Sequence, residues 1–164
     1  WRPVPAIGGH LSQEPGEVDR GVLDKRTDIA LFTSPPLIDK LQLEGIPNLS
    51  LMVEADAEGF DLCVALSVID ITQTKVLQIS TGILRVLGDE ARQSLPRKVI
   101  FQPILAEIKK GERLRISIAG SAWPAIGVNP GHLKTPCGAP SPHCNVITMN
   151  LKLANSNFHV LPLL

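Results

Sequence analysis

The sequence predicts an all-β fold, a β-sandwich of Greek-key or jelly-roll type with about eight to ten short antiparallel strands. Apolar and polar residues alternate with a period of two in short runs, which is typical of strands with one buried face. Turn residues separate these runs, and the 164 residues include 14 prolines and 13 glycines. No segment shows a helical period over more than about ten residues.

The clearest strand precedes a long loop. Three apolar residues alternate with three polar ones there, namely Leu114, Ile116 and Ile118 with Arg113, Arg115 and Ser117. Such a strand is expected inside a sheet, with its polar face in water. The loop that follows carries Trp123-Pro124 and Asn129-Pro130, and it is the expected place for molecular recognition.

Most of the other predicted strands follow the same pattern, but residues 60–71 are apolar on both faces, which favours a strand covered on both sides or at the centre of the sandwich. In chain order they cover residues 29–33, 41–43, 48–56, 60–71, 75–79, 83–87, 98–101, 104–108, 146–153 and 158–161. Residues 72–74 are expected to form a turn, and the polar segment 88–95 to hold one helical turn. The predicted organisation is an extended connector over 1–25 and one β-sandwich domain over 26–164.

Charge and hydropathy exclude several classes of function. Sixteen basic and sixteen acidic residues cancel, so we expect neither a nucleic-acid partner nor binding to an acidic membrane. No apolar run approaches the roughly 18 residues that a membrane span needs. The chain begins with Trp1 rather than Met, which indicates a processed form or a piece of something longer.

The three cysteines indicate no large disulfide framework. Cys63 lies in the apolar run LCVAL and is expected to be a small buried hydrophobic residue. Cys137 and Cys144 flank a loop rich in proline and glycine, where they either form a disulfide or remain free thiols. The expected compartment is the reducing cytoplasm.

No sequence motif indicates a nucleophile or a zinc site. The nucleophile motif G-x-S-x-G is missing. His132, Cys137, His143 and Cys144 share one loop, but their spacing matches no common structural-zinc pattern.

Three acidic residues around Gly59 raise the alternative of a calcium site. Asp56, Glu58 and Asp61 are interpreted instead as solvated acids of a hairpin turn. We therefore predict no catalytic, cofactor-binding or metal-binding residue, and no cofactor.

Trp123 is one of two tryptophans in a chain that has no tyrosine. On a loop after an internal strand it is either an interface anchor or a plug at the end of the sandwich. The lack of tyrosine argues against a face on which sugars stack.

Five stretches, in this order, resemble the C-terminal domain of the X-Pro dipeptidyl-peptidase and cocaine-esterase (CocE/NonD) hydrolases. They are WRPVPAIGG, DKRTDIALFTSPPL, LQLEGIPNLSLMVEADAEGFDLCVAL, STGILRVL and LRISIAGSAWPAIGVNPG. The resemblance extends over nearly the whole chain. Two departures are the turn Thr72-Gln73-Thr74, where the family usually has a tight Asp-Gly type of turn, and the loop 131–145.

The resemblance implies a galactose-binding-like jelly roll that follows an α/β-hydrolase catalytic domain. In such enzymes the Ser-Asp-His triad lies upstream, so no residue here takes a triad role, and His10 does not match the triad position. The parent chain would then be a serine hydrolase with dipeptidyl-peptidase or esterase activity. This fragment would be non-catalytic, would pack on its own upstream domain, would help to wall the active-site entrance, and would contribute to homo-oligomer contacts.

The residues expected at this domain interface share an apolar or loop position. They are Trp1, Pro3, Pro5, Trp123, Pro124 and Asn129. Two alternatives remain open at this point. One is a free-standing carbohydrate-binding module that acts through loops at one end of the sandwich, and the other is an enzyme with a triad or a metal in loop 121–145.

Overall fold

Nine β-strands form two antiparallel sheets in the computed structural model, which describes residues 18–162. The strands are β1 (Val18–Asp19), β2 (Ile29–Thr33), β3 (Leu41–Ala55), β4 (Gly59–Ile69), β5 (Val76–Leu87), β6 (Leu95–Ile100), β7 (Ile104–Ile108), β8 (Arg113–Ala119) and β9 (Met149–Leu161). Short 3-10 turns lie at Leu23–Lys25, Asp89–Arg92 and Ser141–His143. The predicted all-β sandwich is confirmed, and so is the helical turn expected within 88–95.

The first sheet has the strand order β1-β5-β4-β8-β2. In the second sheet β3 is central, with β9 along one edge. The other edge of β3 pairs with β7 through residues 41–45 and with β6 through residues 48–53. β6 and β7 are therefore two parts of one edge strand, interrupted at Phe101, Gln102 and Pro103, as the proline in the sequence suggested.

The main hydrophobic core lies between the two sheets. Phe60, Leu62 and Leu66 of β4 are completely buried in it, and Val53 of β3 and Val99 of β6 meet them from the second sheet. Burying each such side chain contributes about 1.5–3 kcal/mol. β4 carries apolar residues on both faces because both faces are covered, one by the second sheet and the other by segments that fold back over the first sheet.

Three strands are longer than the alternation predicts. The expected pairs 41–43 with 48–56, 75–79 with 83–87, and 146–153 with 158–161 are single strands β3, β5 and β9. In β3 the predicted break fails at Gly45, whose φ of +134° bends the strand without ending it. β9 is also one continuous strand, but its pairing with β3 shifts in register between Ser50 and Met52. This irregularity lies where the sequence predicted a gap between two strands.

The outer face of the first sheet is covered by the chain itself. Leu23 from the segment before β2 and Ala122 from the loop after β8 pack there on Ile29, Cys63 and Ala119. The polar side of β8 is therefore only partly in water: Ser117 is 1% exposed, whereas Arg113 and Arg115 remain partly exposed. The physical reason is that two connecting segments fold back across this face.

The same observation corrects the domain boundary. The connector was predicted as far as residue 25, but β1 pairs with β5, and Arg20, Leu23 and Asp24 are buried. Asp24 accepts hydrogen bonds from Arg20 Nε at 3.0 Å, Ser117 Oγ at 3.2 Å and Arg115 Nη1 at 3.3 Å. This buried network holds the segment onto the sheet. The rest of the predicted connector, residues 1–17, lies outside the described residues.

The turn between β4 and β5 yields a testable prediction about Asp70. Hydrogen bonds, first from Thr72 Oγ1 and then from the backbone N–H of Lys75, lower the pKa of Asp70 from 3.8 to about 2. A depressed pKa means that the carboxylate stabilises the folded protein above pH 3.8 and that this contribution is lost as the pH falls through about 2. We expect the carboxyl carbon of Asp70 to titrate near pH 2 in a ¹³C NMR experiment on the folded chain. A midpoint near 3.8 would show that the turn does not hold this carboxylate.

Within the described part of the chain, no helix has the length and apolar character needed to cross a bilayer.

Candidate functional site

The most elaborate polar site lies on the outer face of the first sheet, at the end where β4 begins. Asp61 of β4 faces Arg85 of β5 directly across the sheet. The Asp61 side chain is 0% exposed, and it accepts two hydrogen bonds from Arg85, Nε to Oδ1 at 2.8 Å and Nη2 to Oδ2 at 2.7 Å. These hydrogen bonds from the guanidinium to Asp61 are the main reason why the pKa of Arg85 is raised. The pair is a buried carboxylate neutralised by a bidentate arginine.

This ion pair fastens the loop that follows β8. Arg85 Nη2 donates to the carbonyl oxygen of Gly127 at 2.5 Å, and Asn129 Nδ2 donates to Asp61 Oδ1 at 3.2 Å. Asn129 in turn accepts a hydrogen bond from the backbone N–H of Gly131 at 3.0 Å. The loop that the sequence marked as a recognition element is thus held by specific polar contacts at its base.

The interpretation of Asp61 as a solvated turn acid is therefore wrong. Asp61 lies inside β4 rather than in the turn, and it faces a sheet surface that the loop covers. Asp56 is exposed and accepts a hydrogen bond from the backbone N–H of Thr148 at 2.8 Å. Glu58 forms a surface pair with Arg92 at 3.7 Å. The three acids do not converge, and no group of three metal-ligating side chains exists within residues 18–162.

A small cavity opens beside this ion pair. Its volume is about 110 Å³, and its polar walls come from Asp28, Asp61, Ser121, Asn129 and Asn145. A water molecule takes about 30 Å³, so the cavity holds only a few waters. Ligand pockets are usually about 300–1,000 Å³, so this cavity gives no support to a sugar site at this end of the sandwich.

A second, wider depression of about 410 Å³ lies between β5 and β6. Arg85 and Arg97 contribute to its walls, and both guanidinium groups make hydrogen bonds, although the buried Nε of Arg97 has no partner among the described residues. Arg97 Nη2 donates to the carbonyl oxygen of Glu90 at 2.5 Å, and its guanidinium carbon lies 5.8 Å from the centre of the Phe60 ring. The depression is therefore a groove between the edges of two strands and does not resemble a reaction centre.

The loop 131–145 does not assemble a metal or catalytic site among the described residues. His132 Nε2 bonds to the carbonyl oxygen of His143 at 2.8 Å, and its Nδ1 accepts from the backbone N–H of Lys134 at 3.2 Å. Both ring nitrogens therefore serve the loop backbone. Cys137 and Cys144 are free thiols and do not form the disulfide that the sequence left open.

Cysteine reactivity gives a second prediction. Burial raises the pKa of the Cys63 thiol to about 12, whereas Cys137 and Cys144 are partly exposed. Because the thiolate is the reactive form, we expect Ellman's reagent at pH 8 to modify two thiols of the folded chain. The third should react only after unfolding in urea. Rapid reaction of all three in the native state would contradict the burial of Cys63.

The structure does not bring the predicted interface residues together into one surface among the residues that it describes. Trp1, Pro3 and Pro5 lie outside the described residues. Trp123 is 54% exposed, so it does not plug the sandwich end, and Pro124 beside it is also exposed. Asn129 is 2% exposed and serves the Asp61 ion pair from inside. The interface role of Trp123 and Pro124 stays a prediction.

Solved structures show the same fold over most of this chain. An α-amino acid ester hydrolase matches with a TM-score of 0.75 and 18% identity over 87% of this chain. An aminopeptidase from a marine sediment Thaumarchaeota archaeon matches with a TM-score of 0.70 and 17% identity over 82% of it. A CocE/NonD family hydrolase from Staphylococcus aureus matches with a TM-score of 0.52 and 19% identity over 66% of it. The matched regions cover 26%, 25% and 25% of those chains, respectively, so this chain spans about a quarter of their length.

Comparison with curated protein sequences gives no significant match. A family model, in contrast, matches residues 9–158, which is most of the chain. The model describes the X-Pro dipeptidyl-peptidase C-terminal non-catalytic domain. A non-catalytic sandwich domain is consistent with the antiparallel fold described above and with the Asp61–Arg85 site, whose two charges neutralise each other. The chain therefore belongs to the family of X-Pro dipeptidyl-peptidase C-terminal non-catalytic domains.

Proposed function

We propose that this domain packs on an upstream α/β-hydrolase domain of the same polypeptide and shapes the entrance to that domain's active site. The observation that carries the proposal is the family match over residues 9–158. The parent polypeptide would be a serine hydrolase that cleaves a peptide or an ester. Structural neighbours described as an aminopeptidase and as an ester hydrolase, each roughly three times as long as this chain, support that reaction class.

The chemistry of the described residues supports a non-catalytic role. The two ring nitrogens of His132 bond to backbone atoms, the carbonyl oxygen of His143 and the N–H of Lys134. The buried charges Asp61 and Asp24 are neutralised by arginines. A charge that is fully paired in this way stabilises structure and is not available for proton transfer.

The loop 120–148 is the element proposed to shape the entrance. It leaves the sandwich beyond β8 and presents Trp123 and Pro124 to solvent. The Asp61–Arg85 pair and Asn129 hold its base. An exposed tryptophan on a loop with a fixed base is suited to forming one wall of a neighbouring cleft.

Hydrolysis assays test this function. The 164-residue chain should not hydrolyse X-Pro p-nitroanilides or p-nitrophenyl esters, whereas the full-length parent polypeptide should hydrolyse at least one of these classes. In the parent, Trp123→Ala should raise KM several-fold with little change in kcat, because an entrance residue affects substrate access and not the chemical step. Leu133→Ala is the matched control, since Leu133 is 60% exposed in the same loop. Turnover by the isolated chain would refute the proposal, and so would unchanged kinetics of the Trp123 variant.

The compartment and the assembly state belong to the same proposal. A reducing cytoplasm is supported by three cysteines that are all free. A partner within the same polypeptide accounts for the family match without a nucleic acid or a membrane. Oligomer contacts through the sandwich are testable by light scattering on the parent polypeptide.

A further inference from the structure

The second sheet has an outer face that the described chain does not cover. Ile100, Leu105 and Leu161 point outward there and are 57%, 75% and 43% exposed, with Ile46 between them. The register explains the grouping, since Ile46 pairs with Leu161 while Leu105 and Ile100 pair with Glu44 and Asn48, two positions on either side of Ile46. We call these four residues, Ile46, Ile100, Leu105 and Leu161, the outer apolar patch.

The two outer faces of the sandwich differ in a way that matters for packing. The outer face of the first sheet is covered by the segment around Leu23 and by the loop around Ala122. No described segment covers the outer face of the second sheet in this way. Contiguous apolar side chains on an open sheet face are typical of an interaction surface.

A buried polar atom lies within the same face. Asn48 is 1% exposed and sits between Ile100 and His159 in the register. Its Nδ2 donates to the carbonyl oxygen of Ile46 at 2.8 Å, but no described residue donates to its Oδ1. Because this oxygen is itself buried, it is not part of the surface that a partner would contact.

The position of β1, where the described chain begins, indicates which partner covers the outer apolar patch. β1 pairs with Leu77 and Gln78 of β5, on the edge of β5 that is not taken by β4. Farther along the same edge, Gln102 N–H donates to the carbonyl oxygen of Thr81 at 2.9 Å. Since a strand rises about 3.3 Å per residue, the start of β1 lies about 10 Å from Gln102. The amino end of β1 is the end nearer to Gln102, because β1 runs antiparallel to β5.

Gln102 lies in the interruption between β6 and β7, and Ile100 and Leu105 stand on either side of it. The first described residue, Val18, therefore lies beside the outer apolar patch. The 17 residues that precede it span at most about 60 Å when extended, so a domain upstream of them is held within reach of this surface, which raises its effective concentration there. A separate protein or a second copy has no such advantage.

We propose that the outer apolar patch is the surface on which the upstream catalytic domain of the same polypeptide packs. This inference rests on the proposed function and adds the location of the interface. Interfaces between domains of one chain bury about 600–1,500 Å², and the patch forms the apolar centre of such an interface. The Trp123 loop follows β8 of the first sheet and is not part of the patch, so it contacts the rim of the catalytic domain rather than the centre of the interface.

Site-specific labelling tests the location. Leu105→Cys and, as the matched control, Ile38→Cys place thiols at positions that are 75% and 82% exposed, and Ile38 lies outside both the patch and loop 120–148. Each variant is labelled with a maleimide, both as the 164-residue chain and as the full-length parent polypeptide, and the modified peptides are quantified by mass spectrometry. In the isolated chain both thiols should react at similar rates. In the parent, the thiol at position 105 should react at least ten-fold more slowly, and the thiol at position 38 should be unaffected.

Two results would overturn the inference. Equal labelling of position 105 in both forms would show that the catalytic domain packs elsewhere. Protection that disappears on dilution, together with a dimer in light scattering, would assign the patch to a second copy. The hydrolysis assays above remain informative in both cases, so failure of this inference and failure of the proposed function are distinguishable.

A substitution provides an independent readout. Leu105→Lys should leave the thermal unfolding of the 164-residue chain unchanged, because the side chain is exposed there. In the parent polypeptide the same change should separate one cooperative unfolding transition into two, since the domains no longer stabilise each other. One unchanged transition in the parent would contradict the proposed surface.

Discussion

Gly45→Ala is expected to destabilise the domain by about 3–5 kcal/mol. Gly45 has a φ of +134°, and a Cβ atom at this position would lie 2.0 Å from the carbonyl oxygen of Leu161. The substitution therefore adds backbone strain of about 1–3 kcal/mol to overpacking of about 1–3 kcal/mol. The colliding atom belongs to the backbone of β9 and cannot rotate away. Urea unfolding monitored by tryptophan fluorescence and circular dichroism measures the loss.

The effect should be concentrated at the end of β9. Leu161 pairs with Ile46, next to the substituted residue, so hydrogen exchange should rise first at the amides of Val160 and Leu161. Gly88→Ala is the matched control, because Gly88 also has a positive φ of +86° but no atom within 4 Å of the added Cβ. Its expected cost is only about 1 kcal/mol. Equal destabilisation by the two substitutions would show that contact with β9 does not contribute.

Arg85→Met is expected to destabilise the domain by about 3 kcal/mol. It leaves the Asp61 carboxylate, which is 0% exposed, without its two guanidinium hydrogen bonds. Removing one partner of a buried pair usually costs about 3–5 kcal/mol. The lower end applies because the Arg85 side chain is 30% exposed, so water replaces part of the lost solvation. Chemical denaturation measures the change, and faster exchange of the amides in loop 121–131 should accompany it.

Arg26→Met provides the matched control for burial. Arg26 binds Asp28 in the same bidentate way, with Nε to Oδ1 at 2.8 Å and Nη2 to Oδ2 at 2.5 Å. Those side chains are 30% and 37% exposed, and a surface pair contributes only about 0–1 kcal/mol. The double variant Asp61→Leu/Arg85→Met should recover part of the stability, because it leaves no uncompensated charge. No recovery would mean that packing of the arginine, and not its charge, is what matters.

Much of the strand content could be predicted from the sequence because it follows from local alternation. β2, β4 and β7 were expected close to their observed bounds, and Cys63 was expected to be buried. The strand lengths were less predictable. Gly45 is a turn signal in a sequence, yet the flanking ladders of β7 and β9 hold the chain extended through it.

The polar site was missed for a physical reason. Acids next to a glycine usually mark a turn, and the segments that bury Asp61 are distant in the sequence. One available signal was the hairpin register, since Asp61 and Arg85 lie equally far from Gln73 in the predicted turn and face each other across the sheet. A carboxylate opposite an arginine in two apolar strands predicts an ion pair.

The sequence by itself determined that this chain forms an antiparallel β-sandwich with the motifs of a non-catalytic hydrolase domain, because strand period and motif order are local properties. Only the tertiary structure decided which sheet face is covered, which charges are buried, and which apolar residues remain open. These properties depend on which distant segments fold back over each sheet. Leu23 and Ala122 cover the outer face of the first sheet, whereas no described segment covers the outer face of the second. Exposure is a property of the assembled molecule, and no stretch of sequence carries it alone.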